Sequence, residues 1–108
     1  MSNKRLLVDF DRVVHKYTHG WNDGTIYDEP VDGAIEAIKA LQQEGYEVMI
    51  FTTFSVDGDL RNDRIREWLR KYGLHPMDVI NTKLPARAII DDRAIRFTNW
   101  RDVLNYFV

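Results

Sequence analysis

The stretch Leu6-Leu7-Val8-Asp9-Phe10-Asp11 constrains this chain more than any other. Three apolar residues run into two carboxylates spaced two apart. A short apolar run of this kind reads as a buried strand, with the acids at its end. Alternate strand residues share a face, so Asp9 and Asp11 are expected to point the same way. Like charges held together oppose each other's ionisation unless something positive lies between them. A divalent cation with oxygen ligands, Mg²⁺ above all, is the usual remedy.

The rest of the chain supports a parallel α/β domain. After the first strand, Val13 to Tyr17 and Thr25 to Tyr27 are expected to pair as a short hairpin, with Asn22-Asp23-Gly24 in its turn. Pro30 and Asp32 open a helix whose stripe is Val31, Ala34, Ile35, Ile38 and Leu41, and Gly45 stops it. Tyr46 to Phe51 is the second strand, ending at Thr52-Thr53. A loop from Phe54 to Gly58 leads to a second helix, Asp59 to Tyr72. Its buried stripe is Ile65, Trp68, Leu69 and Tyr72, and Arg61, Arg64, Arg66 and Lys71 are expected in solvent. Asp78 to Asn81 and Arg87 to Asp92 are the third and fourth strands. Phe97 is placed in a further extended piece, and Trp100 to Phe107 in a terminal helix capped by Asn99.

Strands alternating with helices imply βαβ units with right-handed crossovers. The expected architecture is a three-layer, Rossmann-like parallel sheet in the order 3-2-1-4, one domain over residues 1–108 with a flap at about 12–29. In such sheets ligands gather beyond the carboxyl ends of the strands. Asp9 and Asp11, Thr52 and Thr53, and Asp91 and Asp92 all end strands, so one rim collects them, with Lys83 just before the fourth strand. Acids, a hydroxyl and a lysine make a phosphate site built around a cation. An aspartate facing phosphorus can act as nucleophile, with its neighbour as acid and base. No glycine-rich phosphate loop is present.

Composition narrows the class. The chain is 44% hydrophobic and 30% charged, with 15 Lys+Arg against 17 Asp+Glu and a formal net charge of −2. That describes an ordinary folded protein without the basic field of a nonspecific nucleic-acid binder. Cysteine is absent, which excludes thiol chemistry and is compatible with a reducing cytoplasm. No apolar run is long enough to span a membrane, and the basic N-terminus lacks the apolar stretch of a signal peptide.

Taken in order, Asp9-Phe10-Asp11, the strand ending in Thr52, Lys83 and Asp91-Asp92 resemble the haloacid dehalogenase (HAD) superfamily, from Leu6 to Phe97. The resemblance implies an Mg²⁺-dependent phosphatase. Asp9 would be nucleophile and metal ligand. Asp11 would be general acid and base, with its backbone carbonyl on the metal. Thr52, or its neighbour Thr53, and Lys83 would bind the phosphoryl group, and Asp91 and Asp92 would hold Mg²⁺. No cap domain is inserted. Capless members often act on large substrates or borrow a lid from another subunit, so a homodimer is among the expectations. The substrate class stays open: a small phosphorylated molecule, a nucleotide or a polynucleotide end.

One residue departs from the family pattern. Arg12 stands where glycine usually follows the second Asp, which implies either backbone strain or a second anion-binding group, and it raises the alternative of a non-catalytic phospho-ligand or partner-binding module. Receiver-like domains also use acids, Thr and Lys at strand ends. Their acceptor Asp lies on a middle strand, however, and the middle strand here ends in Thr52.

Overall fold

A computed structural model of the chain describes residues 4–21, 23–53 and 58–108. Asn22 of the expected turn and most of the loop before the second helix lie outside the described residues. The elements are β1 (Arg5–Asp9), α1 (Ala34–Gln43), β2 (Glu47–Phe51), α2 (Gly58–Lys71), β3 (Val79–Ile80), β4 (Ala88–Ile90) and α3 (Trp100–Phe107). All strand pairs are parallel, in the order β3-β2-β1-β4. The expected fold class and strand order are therefore observed.

Register follows from the apolar runs. Leu7 lies opposite Met49 on one side and Ile89 on the other, and Val8 lies between Ile50 and Ile90. Two successive right-handed crossovers in one direction put α1 and α2 on the same face. That face is the one carrying Val8, Val48 and Ile50, which join Ile35 and Ile38 of α1 and Ile65, Trp68 and Leu69 of α2 in one core. Leu7, Phe10, Ile50, Ile65 and Leu69 are fully buried, and each such side chain contributes about 1.5–3 kcal/mol by leaving water. The third layer expected on the Leu7 face does not come from α3, none of whose residues is buried.

Both long helices end alike. Gly45 donates to the Gln42 carbonyl and Tyr46 to that of Leu41; Gly73 donates to Arg70 and Leu74 to Leu69. Each pair closes a Schellman turn, with the glycine at the left-handed position it requires (φ 93° and 84°). The start of α1 differs from expectation. The Val31 N–H bonds back to the Val14 carbonyl, so Pro30 and Val31 belong to the preceding segment. The helix begins at Ala34 behind Gly33, without a side-chain cap from Asp32. Asn99 does cap α3, accepting from the Asp102 N–H at 2.9 Å. Phe97 lies in no strand.

The flap is not the expected hairpin. Asp23 and Gly24 take the positive φ expected of an Asp-Gly turn, but residues 13–17 and 25–27 form no strand. Lys16 bonds to Glu29 and Val31 to Val14 instead. The reason lies in side-chain competition for the backbone. The Asp28 N–H donates to His15 Nε2, the Trp68 indole donates to the Asp28 carbonyl, and the Tyr27 hydroxyl bridges His19 and Gly20. Tyr17, at φ 58°, turns the chain where a strand would have continued.

Candidate active site

The pairing of Val8 with Ile90 sets the site. One residue beyond it, Asp9 and Asp91 leave adjacent parallel strands side by side. Carboxylate oxygens of Asp9, Asp91 and Asp92 all lie within 4.8 Å of one another. Asp9 is half-buried there, and its carboxyl is pushed up to about 7, first by burial and then by the charges of Asp91 and Asp92, against an opposing hydrogen bond from the Phe10 N–H. A proton on Asp9 is one relief of this crowding; a cation is the other. Three hard carboxylate donors converging in this way suit a divalent ion such as Mg²⁺, so the donor set fits the metal that the family resemblance implies. Asp11, also expected as a ligand, has its carboxylate outside the cluster.

Asp11 is occupied otherwise. Its Oδ2 accepts from Arg61 Nη2 at 2.9 Å and its Oδ1 from His15 Nδ1 at 3.1 Å. Because His15 Nε2 accepts the Asp28 N–H, the ring is neutral and carries its proton on Nδ1. His15 is fully buried, stacked on Phe10 and edge-on to Trp68, so it packs the flap as well as orienting Asp11.

Arg61 is the largest correction to the sequence reading. Expected in solvent, it is only 4% exposed. Besides Asp11 it donates to Thr52 Oγ1 at 3.2 Å and lies over the Trp21 ring at 5.5 Å. Its Nε has no partner among the described residues. The signal was available: Arg61 falls four residues before Ile65 and seven before Trp68, on the stripe that buries α2. Asn62, also buried, was missed too. Its amide bonds to Asn81, which in turn donates to the Thr52 carbonyl at 3.0 Å and steadies that strand end.

A cavity of about 330 Å³ opens on this rim. It is lined by the acids Asp9, Asp11 and Asp92, the hydroxyl residues Thr52 and Thr53, the guanidiniums of Arg12, Arg61 and Arg93, and the rings of Tyr17 and Trp21. Thr52 is buried and Thr53 exposed. Arg12 stacks over Tyr17 at 5.2 Å and sits at φ 70°, the left-handed conformation that glycine adopts freely. Lys83 is exposed in the loop between β3 and β4 and does not line the cavity. The cation bonded to Asp11 is a guanidinium from α2.

The structure thus brings together Asp9, Asp91 and Asp92 in one cluster and Asp9, Asp11, Arg12, Thr52, Thr53 and Asp92 around one cavity, with Lys83 not among the residues lining it. No helix among the described residues is long and apolar enough to cross a membrane. No family model matches the chain, and no curated protein matches it.

Proposed function

We propose that this chain is an Mg²⁺-dependent phosphatase of the HAD-like kind, acting through an aspartyl-phosphate on Asp9. The observation that carries the reading is the convergence of Asp9, Asp91 and Asp92 at the carboxyl ends of adjacent parallel strands, beside a cavity lined by three guanidiniums. A divalent ion held by those three carboxylates would neutralise them and bind phosphoryl oxygens. Arg12, Arg93 and the Thr52 hydroxyl, which line the cavity, would take the remaining oxygens. In the first step an Asp9 oxygen bonds to phosphorus as the bond to the leaving oxygen breaks, and Asp11 gives that oxygen a proton. In the second, Asp11 takes a proton from water, which attacks phosphorus, frees phosphate and restores Asp9.

The test is phosphate release from an aryl phosphate with Mg²⁺, abolished by EDTA and by Asp9→Asn. Turnover that survives Asp9→Asn would remove Asp9 as nucleophile. A second reading, a phospho-ligand-binding module, is favoured by one observation. Both oxygens of Asp11 accept hydrogen bonds, from Arg61 and His15, so neither is free to hand a proton to a leaving group. That reading expects Mg²⁺-linked phosphate binding by calorimetry without turnover.

A further inference from the structure

The walls of the rim cavity hold more than a phosphate needs. On the reading above, Asp9 and Asp92 face a metal, Asp11 is bonded to Arg61 and His15, and Arg12, Arg93 and Thr52 take phosphoryl oxygens. Two lining rings remain, Tyr17 and Trp21. Tyr17 is occupied, with the Arg12 guanidinium over it at 5.2 Å and Tyr27 stacked against it. Trp21 is not. It is 53% exposed, and among the described residues no other aromatic ring packs on it. The indole is nevertheless held. Buried Arg61 lies over it at 5.5 Å. On its six-membered ring it meets Gly24, where an added Cβ would stand 3.4 Å from Trp21 Cη2 and 3.3 Å from Arg64 Nη1.

The place of Trp21 relative to the chemistry decides which part of a substrate it meets. One guanidinium, that of Arg61, both bonds to Asp11 at 2.9 Å and lies over the indole. Asp11 is the group assigned to the leaving oxygen, so the indole stands on the leaving-group side of the phosphoryl. We infer that the leaving group is a nucleoside: the substrate is a nucleoside monophosphate, its base stacked on Trp21 and its phosphate held at the Asp9 rim. This rests on the reading of that rim as a phosphate site. Every nucleobase offers a flat π face, which an exposed indole takes without any hydrogen-bond pattern. The remaining lining agrees. It includes no amide side chain, and its acids are already engaged, which leaves little to read the hydroxyls of a sugar phosphate. At about 330 Å³ the cavity is at the small end of ligand sites, which suits one nucleotide and not a longer stretch of strand. Arg12 and Arg93 form no ion pair among the described residues, so a phosphate dianion meets them without displacing a carboxylate.

Calorimetry with Mg²⁺ tests this without relying on turnover. The probes are inorganic phosphate and three phosphonates in which a methylene replaces the ester oxygen, so that they bind but are not hydrolysed: the analogues of adenosine monophosphate, of the ribose phosphate that lacks only the base, and of glucose phosphate. The wild-type chain is expected to bind the nucleotide analogue about tenfold or more tightly than either sugar analogue. Trp21→Leu is expected to abolish that preference while still binding inorganic phosphate, and Trp21→Phe, which keeps a ring, to retain most of it. Because the preference is a ratio, any disturbance of Arg61 in these variants cancels. Equal affinity for the three phosphonates, or a preference unchanged in Trp21→Leu, would overturn the nucleoside assignment and leave the phosphate site standing. Failure of inorganic phosphate to bind the wild-type chain would remove the reading of the rim, and the nucleoside with it.

Discussion

Replacing Arg12 by glycine and, separately, by alanine divides its backbone cost from its side-chain role. At φ 70°, a residue with a Cβ costs roughly 1–2 kcal/mol more than glycine. Glycine gives back about 0.5–1 kcal/mol of this through the greater freedom of its unfolded chain. Both variants lose the stacking of the guanidinium on Tyr17, worth about 0.5–1 kcal/mol at an exposed site, so that loss cancels between them. Arg12→Gly is therefore expected to be more stable than Arg12→Ala by about 1 kcal/mol, or about 4 °C in a chain of this size. Urea unfolding at neutral pH, with equal slopes for the two variants, measures the difference. An alanine variant as stable as the glycine one would refute the strain. If the Arg12 side chain also binds phosphate, both variants should show the same rise in KM despite their unequal stability.

Arg61→Met is expected to cost about 2–4 kcal/mol, below the full value for a buried pair because the Asp11 carboxylate is 24% exposed. A double-mutant cycle with Asp11→Asn should give a coupling of about 1 kcal/mol or more, and additive losses in urea unfolding would show that the two side chains do not depend on each other. For Asp9, a carboxyl raised from 3.8 to about 7 binds its proton more tightly in the folded state. Its contribution to stability is complete below 3.8 and is lost as pH rises towards 7. Mg²⁺ competes with that proton, so the rise in Tm on adding Mg²⁺ should be larger at pH 8 than at pH 5 and small in Asp91→Asn. A rise independent of pH would place the ion elsewhere.

Much of the rim was legible because it rests on local rules. An apolar run ending in acids is a strand with its chemistry at the tip, and parallel pairing brings such tips together, so Asp9, Thr52, Asp91 and Asp92 meet as spacing implied. What escaped was set by tertiary competition. Arg61 was assigned to solvent by its charge, although its position on the α2 stripe directs it inward, where Asp11 and Thr52 receive it. The flap was read as a hairpin from its turn residues, but no local rule reveals that His15 and Trp68 take both backbone groups of Asp28. Lys83 was placed at the site by order in the chain alone. It is exposed and does not line the cavity, and a guanidinium from another element bonds to Asp11.

Because Asp91 owes its position to the alignment of β4 with β1, the count of residues from Ala88 to Asp91 tolerates no change. Side chains alternate along a strand, so one inserted residue would turn Asp91 to the far side of the sheet while leaving the apolar core largely intact. The connections beyond the anchored Asn81 and Arg93, 82–87 and 94–99, are under no such restriction. Evolution, or an engineer, is free to lengthen them and so reshape what the cavity admits, provided the three-residue strand between them keeps its length.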